Sequence, residues 1–261
     1  MEIVGSGFLA TQLRPLAHRH EDVVVIAAGV SSTAAHSAAE FARERNLVQN
    51  VLRRCRSGHT VLFLSTASHA MYGSTPAPVT EDTPVCPVIP YGVHKRDLET
   101  MVIRSGVDWL VLRISHVVGP DQPEHQLVPA LIAQLCAGEV AVHTGAHRDL
   151  LDVTDLRDSV DVLLHRRVRN EIVHVASGTA VPVESLVDGI GRRLGVRAAK
   201  RLVPGPVTRT LVSIEKLRGF APDVVARFSG PDYPERLLDR HVPTYHGTVD
   251  TAVGGARCTN T

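Results

Sequence analysis

The sequence contains 261 residues, of which 44% are hydrophobic and 4% aromatic, and its 28 Lys and Arg residues nearly balance 27 Asp and Glu residues. This length suffices for one large α/β domain or for a domain with an added lobe. A net charge of +1 does not give the clustered basic excess of a nucleic-acid-binding protein. No apolar run approaches the roughly 20 residues that a membrane-spanning helix requires. We therefore expect neither a nucleic-acid partner nor a membrane-embedded segment.

The cysteines and the first residues bear on the cellular compartment. No CxxC pair or other spacing typical of metal ligands occurs among the four cysteines, which are Cys55, Cys86, Cys136 and Cys258. We therefore predict free thiols and no bound metal. Residues 1–5 show a strand-and-turn pattern instead of a signal peptide. Together these features predict a cytoplasmic protein.

In chain order, five short apolar runs predict strands that are buried on both faces, as in a parallel sheet. Longer stretches between them predict covering helices. The predicted strands are 2–4, 23–27, 61–65, 109–113 and 172–176, and the predicted helices are 8–18, 37–54, 92–104, 128–136 and 154–165. This alternation predicts an α/β fold with a Rossmann-like, doubly wound parallel sheet.

The pattern changes after about residue 180, where Pro- and Gly-rich links separate short helices predicted at 183–194 and 214–219. We predict three parts on this basis. Residues 1–180 form a dinucleotide-binding domain, and residues 181–243 form a small substrate lobe interleaved with loops of the first domain. Residues 244–261 lack apolar periodicity and are predicted to be a disordered tail.

A glycine-rich turn with the pattern GxGxxA follows the first predicted strand and opens the first predicted helix. Its first five residues are Gly5, Ser6, Gly7, Phe8 and Leu9. Glycine permits the tight turn and lets the backbone approach a pyrophosphate, to which the helix start offers unpaired N–H groups. This placement favours dinucleotide binding. A tight βα turn without a ligand is the alternative.

The acidic residue that usually ends the second strand of a dinucleotide fold, where it holds the adenosine ribose, is absent. The second predicted strand leads instead into Ala28 and Gly29. We therefore favour NADP(H) over NAD(H) as the cofactor. The candidates to meet a 2′-phosphate are Arg19, His20, Ser31 and Ser32.

Tyr91 and Lys95 stand four residues apart at the start of a predicted helix, so both project from one face. Thr66 and Ser68 lie at the carboxyl end of a buried strand, the edge at which α/β sheets collect ligands. The phenol's ordinary pKa of about 10 is too high for efficient proton transfer near neutrality, and a neighbouring ammonium lowers it. The three groups together predict a proton-transfer site. The alternative is that each side chain is structural.

In this order and spacing, these patterns resemble the short-chain dehydrogenase/reductase superfamily, specifically its extended group that acts on nucleotide sugars. The resemblance covers about residues 1–220. Further matching segments are Ala27-Ala28-Gly29, Tyr72-Gly73, Leu112-Arg113, Val118-Gly119-Pro120 and residues 148–155, which read RDLLDVTD.

The resemblance implies a catalytic set of Ser68, Tyr91, Lys95 and Asn46. Tyr91 donates or accepts the proton, Lys95 holds the nicotinamide ribose, and Asn46 completes a proton relay. The cofactor contacts that it implies are Gly5, Ser6, Gly7, Phe8, Leu9, Ala28, Gly29, Thr66, Tyr91 and Lys95.

The resemblance also implies a substrate site. His116 matches a phosphate-binding position, and Arg148 matches an Arg that clasps the substrate diphosphate with its fork of donors. For Arg148, an ion pair with Asp149 or Asp155 is an equally plausible structural role. Gln122 is a further candidate for the sugar pocket, with ordinary loop polarity as the alternative.

Two departures from the family pattern shape the functional prediction. Only residues 19–22 lie where a full member has further strands and a helix, so the N-terminal half is shortened by one βαβ portion. His69 and Ala70 stand where dehydratases of the family carry an Asp–Glu pair. Elimination chemistry is therefore not expected.

The predicted function is NAD(P)H-dependent reduction of a keto group, at C4, of a nucleotide-activated deoxysugar. In this respect the sequence resembles small dTDP-4-keto-6-deoxyhexose 4-ketoreductases of actinomycete antibiotic pathways. One alternative is a nucleotide-sugar 4-epimerase with retained NAD, and another is a non-catalytic dinucleotide-binding regulatory module. The resemblance also implies a homodimer formed through a helix bundle that includes residues 92–104.

Overall fold

A parallel five-stranded sheet lies at the centre of the computed structural model, which describes residues 1–30 and 37–252. Its strand order is β1-β2-β3-β4-β8. The predicted strands are all present, with ends within one residue of those expected from the sequence. The five strands are β1 (Glu2–Val4), β2 (Val23–Ile26), β3 (Thr60–Thr66), β4 (Asp108–Ile114) and β8 (Glu171–Val175).

Helices cover both faces of this sheet. One face packs against α2 and α4 through residues such as Val48 and Leu98. The other packs against α1 and α6 through residues such as Leu13 and Leu156. The helices of this half are α1 (Phe8–Leu13, extended by a 3₁₀ turn over Arg14–Leu16), α2 (Ala38–Arg54), α3 (His69–Tyr72), α4 (Pro90–Ile103), α5 (Leu127–Cys136) and α6 (Val153–His165).

The start of α2 is fixed by a capping box. Ser37 accepts a hydrogen bond from the N–H of Glu40, whose side chain in turn accepts from the N–H of Ser37. The buried positions of the helix then fall at Glu44, Val48 and Val51, with the spacing of one helical face. The helix therefore turns a carboxylate, and not only apolar side chains, toward the sheet.

The connection from β1 to β2 differs in hand from its neighbours. β1, β2, β3 and β4 follow each other across the sheet, yet α1 lies on one face and α2 and α4 on the other. We assign the usual right hand to the connections through α2 and α4. The connection through α1 then has the opposite, left hand. A right-handed connection through α1 would place the next strand on the other side of β1. That is where the missing βαβ portion belongs.

The C-terminal part packs on the same apolar cluster as one face of the sheet. It adds the small sheets β5-β7-β9 and β6-β10. Their strands are β5 (His116–Val118), β6 (Glu139–His143), β7 (His147–Asp152), β9 (Ala180–Pro182) and β10 (Ala199–Val203). The helices are α7 (Val183–Leu194), α8 (Glu215–Phe220), α9 (Pro222–Phe228) and α10 (Tyr233–Ala252). Since β6 pairs with β10 and β7 with β9, this lobe takes strands from both sides of residue 180.

Part of the predicted tail over 244–261 has helical backbone. Helix α10 continues through Ala252, and the Tyr245 hydroxyl donates to the carbonyl oxygen of Gly119 at 2.7 Å. This hydrogen bond joins α10 to the loop after β5. Residues 253–261 lie outside the described residues.

The described helices include none that is both long and apolar enough to cross a bilayer. Within residues 1–30 and 37–252, no cluster of three or more His, Cys, Asp or Glu side chains is arranged to hold a metal ion. Cys55 and Cys86 are free thiols, and Cys258 lies outside the described residues.

Candidate active site

A cleft of about 590 Å³ opens at the carboxyl edge of the central sheet. It brings together most of the residues that the sequence analysis selected. Gly5 and Asn46 are not among its lining residues. The predicted residues that line it are Ser6, Gly7, Phe8, Leu9, Ala28, Gly29, Thr66, Ser68, Tyr91, Lys95, His116, Gln122 and Arg148.

The two glycines of the turn after β1 have different roles. Gly5 has φ +142°, and a Cβ atom there would lie 2.5 Å from the carbonyl oxygen of Ala27. The absence of a side chain at Gly5 therefore allows β1 to lie this close to the end of β2. A Cβ atom at Gly7 would meet nothing within 4 Å, and Gly7 lines the cleft. The open space above Gly7 fits a group that must approach the backbone closely, as a dinucleotide does.

Gly92 brings the predicted tyrosine and serine into one cleft. A Cβ atom at Gly92 would lie 1.8 Å from the carbonyl oxygen of Ala70, so only glycine allows α4 to approach α3 this closely. Ser68 is the N-cap of α3 and accepts a hydrogen bond from the N–H of Ala70. The first turns of the two helices therefore place Tyr91 beside Ser68. The sequence analysis missed this role, although a glycine directly after the tyrosine was a visible signal.

Three hydroxyls form a chain in the cleft. The Tyr91 phenol forms a hydrogen bond with the Thr66 side chain, and Thr66 Oγ1 donates to Ser68 Oγ at 2.9 Å. Burial raises the pKa of Tyr91, although Lys95 and Thr66 act to lower it and Glu44 acts to raise it. The sequence analysis expected the ammonium to lower this pKa. The structure instead shows a phenol that keeps its proton at neutral pH.

The ammonium of Lys95 is paired with a carboxylate that sequence reasoning missed. Lys95 Nζ lies 5.8 Å from the centroid of the Tyr91 ring and donates to Glu44 Oε1 at 2.8 Å. Burial acts to raise the pKa of Glu44, but hydrogen bonding to His94 and the charge of Lys95 lower it to about 2. The site therefore contains a buried, charged Lys–Glu pair behind the phenol.

Asn46 does not join the catalytic residues, contrary to what the resemblance implied. It lies on α2 two residues after Glu44, so it points away from the buried face. Its side chain is exposed and lines a shallow groove with Arg43, Asn50 and Arg54. The residue of α2 that faces Lys95 is Glu44. Counting the helical face from the buried Val48 and Val51 would have shown this.

Arg148 faces the cleft without a carboxylate partner among the described residues. Its Nη1 donates to the carbonyl oxygen of His147 at 2.7 Å. Asp149 and Asp155, the two proposed ion-pair partners, are bound elsewhere: Asp149 accepts from the N–H groups of residues 177 and 178, and Asp155 accepts from Tyr233. Neither of the two ion pairs considered for Arg148 is therefore formed among the described residues.

His116 is a neutral neighbour of this arginine. Burial and the charge of Arg148 lower the pKa of His116 to about 4, so the imidazole carries no charge at neutral pH. Burial also lowers the pKa of Arg148, but a guanidinium remains charged in proteins. Arg148 is therefore the charged member of this pair, and it lines the cleft.

A scan of protein families matches residues 10–176 with the NAD dependent epimerase/dehydratase family. The match covers more than half of the chain and includes Ser68, Tyr91, Lys95 and Arg148. The chain belongs to the NAD-dependent epimerase/dehydratase family. This confirms the family resemblance seen in the sequence.

Two curated relatives have identities above 30%. A dTDP-6-deoxy-L-talose 4-dehydrogenase (NAD(P)(+)) from Kitasatospora kifunensis is 32% identical over 149 residues, and the alignment covers 52% of this chain and 47% of that protein. A putative GDP-L-fucose synthase 2 from Oryza sativa subsp. japonica is 31% identical over 241 residues, with coverage of 78% and 68%. The chain thus spans about half the length of the first relative and about two thirds of the second.

Solved structures show the same fold at lower identity. RMD from Pseudomonas aeruginosa, complexed with NADPH, has a TM-score of 0.76 at 20% identity, covering 93% of this chain and 97% of that chain. A UDP-glucose 4-epimerase from Thermus thermophilus, complexed with NAD, has a TM-score of 0.71 at 23% identity, with coverage of 90% and 82%. These likenesses confirm the predicted Rossmann-like parallel sheet.

Within this member of the epimerase/dehydratase family, Gln122 lines the cleft but its amide is bound by the protein. Its Nε2 donates to the carbonyl oxygen of Val117 and to Gln126 Oε1, and its Oε1 accepts from the Tyr245 hydroxyl. Gln122 therefore shapes the loop after β5. Both N–H donors of its amide are used within the protein.

The candidates for a 2′-phosphate are not assembled in the described residues. Arg19 and His20 both bind Asp161 of α6, at 2.6 and 2.8 Å, which holds them on the face of α1. Ser31 and Ser32 lie outside the described residues.

His69, which stands at the first position of the family's Asp–Glu pair, does not supply a carboxylate and does not line the cleft. Burial lowers its pKa, and its Nδ1 is buried without a hydrogen-bond partner among the described residues. The neighbouring Ala70 is buried. Neither residue 69 nor residue 70 therefore carries the carboxyl group that an elimination would use as acid or base.

A second buried polar network supports the cleft from behind, and the sequence analysis did not anticipate it. Arg113 binds both oxygens of Glu99, with Nη2–Oε2 at 2.7 Å, and donates to the Tyr72 hydroxyl at 2.6 Å. Tyr72 also contacts His174 Nε2 at 2.7 Å. Burial raises the pKa of Tyr72 to about 12. Tyr72 is thus structural, and Tyr91 is the phenol that faces the cleft.

Proposed function

We propose that the protein is an NAD(P)H-dependent ketoreductase that reduces a keto group, at C4, of a nucleotide-activated deoxysugar. The observation that carries this proposal is the shared cleft, in which the Tyr91 phenol lies with Ser68 and with the Arg148 guanidinium. A protonated phenol suits donation to a ketone oxygen, and a free guanidinium suits a diphosphate. The 32% identity with a 4-dehydrogenase acting on a dTDP-deoxysugar supports the same substrate class.

The cleft has suitable residues for the cofactor. The turn around Gly7, the end of β2 at Ala28 and Gly29, and Lys95 would hold the dinucleotide. When bound, NAD(P)H supplies the hydride. We favour NADP(H), because β1 is the edge of the described sheet and no strand lies on its outer side to carry the acidic residue that holds a free ribose hydroxyl.

Two hydroxyl groups of the protein, those of Ser68 and Tyr91, bind the ketone oxygen and supply its proton. Ser68 Oγ accepts from Thr66 and from the N–H of Ala70, and no described group accepts its own hydrogen. Ser68 is therefore free to donate a hydrogen bond to the substrate ketone. Tyr91 then transfers its phenolic proton to that oxygen as the alcohol forms, and solvent reprotonates Tyr91.

Arg148 positions the substrate in this proposal. Its guanidinium binds the diphosphate, and this remote binding energy orients the ketone toward Tyr91. His116 stays neutral and contributes a hydrogen bond without adding charge. The missing carboxylates at residues 69 and 70 leave reduction, rather than elimination, as the reaction that the site supports.

We further propose a homodimer through α4 and a cytoplasmic location. The surface near α4 carries exposed apolar side chains, with Val88 49% and Val93 38% exposed. Together with Phe41 and Pro87 they line a shallow groove. An apolar groove of this kind suits contact with a second copy.

The test is incubation of the purified protein with NADPH and a panel of 4-keto-6-deoxyhexose nucleotides, following the loss of NADPH absorbance. The expected result is consumption of NADPH with at least one ketosugar, abolished in Tyr91→Phe. Protein that arrives with stoichiometric bound NAD and interconverts epimers without consuming cofactor would identify an epimerase instead. Intact dinucleotide binding with no reaction across the panel would identify a regulatory module.

A further inference from the structure

Glu44 is a buried carboxylate to which the proposed mechanism assigns no step. Its side chain is 1% exposed. It accepts from Lys95 Nζ at 2.8 Å, from the N–H of Val30 at 2.9 Å, and lies 3.0 Å from His94 Nε2. A buried charge is tolerated only when it is paired and hydrogen-bonded in this way.

The carboxylate joins two walls of the cleft. Lys95 belongs to α4, whereas Gly29 and Val30 follow β2, and all three residues line the cleft. Gly29 leaves no spare room, since a Cβ atom there would lie 2.2 Å from Glu44 Cδ. Glu44 is therefore held from both sides, and so is the ammonium it binds.

We propose that Glu44 is a positioning residue that fixes the Lys95 ammonium against the turn at residues 29–30 and, through its charge, adapts the site to donating rather than accepting a proton. This inference rests on the proposed reductase function and deepens it. It assigns to the charge of Glu44 the task of keeping Tyr91 protonated in the resting site, the state from which reduction starts.

The charge of Glu44 changes the electrostatic effect that the Lys95 ammonium has on the Tyr91 phenol. An ammonium near a phenol stabilises the phenolate, and Lys95 Nζ lies 5.8 Å from the Tyr91 ring centroid. A carboxylate in direct contact with that ammonium cancels much of its field at the phenol. Such effects are larger in a buried site than in water. With Glu44 in place, burial is the dominant influence on Tyr91, and its pKa is raised.

The charged groups around this centre come from few elements. Lys95 and His94 reach Glu44 from α4, and the N–H of Val30 reaches it from the turn after β2. His94 packs against the Phe41 ring of α2, with centroids 4.4 Å apart. Lys95 and Glu44 are the charged groups that act on Tyr91. Removing the Glu44 charge therefore leaves Lys95 unopposed beside the phenol.

The test is Glu44→Gln, studied first without cofactor or substrate. The variant keeps the size of the side chain and loses its charge. We expect the titration of Tyr91, followed by tyrosinate ultraviolet absorbance and assigned by subtraction of a Tyr91→Phe background, to move down by about one pH unit or more. Asp97→Asn is the matched control, because Asp97 is an exposed acid on α4 two residues from Lys95. It should leave the titration unchanged.

Glu44→Gln leaves the buried Lys95 ammonium without its charged partner, and an unpaired buried charge destabilises a fold. A second variant avoids this problem. The double variant Glu44→Gln/Lys95→Met removes both charges, and its Tyr91 titration should return close to that of the native protein. A titration that stays in place in Glu44→Gln, or that moves equally in the double variant, would overturn the inference.

Cofactor binding separates this inference from the proposed function. NADPH fluorescence titration should show several-fold weaker binding to Glu44→Gln than to the native protein. If the native protein fails to bind NADPH, the proposed function is rejected. The tyrosine titration then tests the charge effect of Glu44 by itself. Equal binding together with an unchanged titration would reject the role of Glu44 alone.

Discussion

Gly92 and the carbonyl oxygen of Ala70 are in such close contact that a Cβ atom at residue 92 would lie 1.8 Å from that oxygen. The obstacle is backbone, which cannot rotate away as a side chain does. This contact sets the distance between α3 and α4, and hence between Ser68 and Tyr91.

Gly92→Ala should push the two helices apart. We expect a loss of about 1–3 kcal/mol in the free energy of unfolding and a fall in reductase kcat of at least about tenfold, since small misplacements of catalytic groups are costly. Denaturant unfolding and steady-state kinetics measure these two effects. Gly219→Ala on α8 is the control, because nothing lies within 4 Å of its Cβ position. An active, stable Gly92→Ala protein would contradict the packing argument.

Gly7→Val should separate cofactor binding from folding. The Cβ of residue 7 points into open space of the cleft, so the variant should keep its unfolding free energy but lose NADPH affinity by at least about tenfold, because a side chain would occupy the cofactor's place. Gly5→Val is the contrasting variant. Its side chain would collide with Ala27, and we expect it to be destabilised. Equal NADPH affinity in Gly7→Val and native protein would argue against this cofactor site.

Tyr91→Phe should lower kcat by about 10²- to 10⁴-fold, the range for loss of a general acid, with little effect on NADPH binding. Tyr72→Phe is the matched control. It removes a buried phenol bonded to Arg113 and His174, so stability should fall by about 1–3 kcal/mol while kcat changes far less. A reversed pattern, with Tyr72→Phe inactive and Tyr91→Phe active, would reassign the proton donor.

Arg148→Gln should raise KM for the nucleotide sugar by at least about tenfold, because the loss of a charged, bidentate donor weakens diphosphate binding. Its unfolding free energy should change little, since no described carboxylate depends on Arg148. The comparison substrate is a 4-ketosugar without the nucleoside diphosphate. Its reduction, however slow, should be equal in native and variant enzymes. A KM increase of the same size for both substrates would argue against diphosphate binding.

The contribution of His116 to stability should fall as pH drops from about 6.5 toward 4, because its pKa is lowered to about 4 in the fold. The unfolded chain binds a proton near pH 6.5 and the folded state does not, so this group destabilises the fold below that pH. His116→Gln should reduce the loss by up to about 3 kcal/mol. Urea unfolding across this pH range measures it.

Asp149 provides a test of the opposite sign. Burial raises its pKa to about 6, so the folded state takes up a proton before the unfolded chain does, and the contribution of Asp149 to stability rises as pH falls from about 7 toward 4. Asp149→Asn should remove this gain and steepen the acid-side loss. An unchanged pH profile in Asp149→Asn would show that its carboxyl group titrates normally.

The central sheet could be predicted because its strands are continuous apolar runs bounded by turns, and such runs need no knowledge of distant contacts. The small strands β5, β6, β7, β9 and β10 could not. Each is three to six residues long and gains its partner from far along the chain, as when β6 pairs with β10. Short pairings of this kind leave little trace in local composition.

The site shows the same division. Tyr91, Lys95, Ser68 and the glycine turn stand in spacings that a sequence displays directly. Glu44 was missed because an acidic residue on the inner face of a helix breaks the apolar pattern by which inner faces are recognised. Its reason for being buried is Lys95, which lies 51 residues away.

The reversed connection at β1 also defines where the chain can change length. β1 and β2 are neighbours in the sheet, and the last residue of the loop before β2, Asp22, accepts a hydrogen bond from the N–H of Thr60 at the start of β3. Material can be lost or gained between α1 and β2 without disturbing the hydroxyl chain or the lysine, which belong to later strands and helices. The residues proposed to supply the proton therefore lie outside the segment in which the chain is shortened.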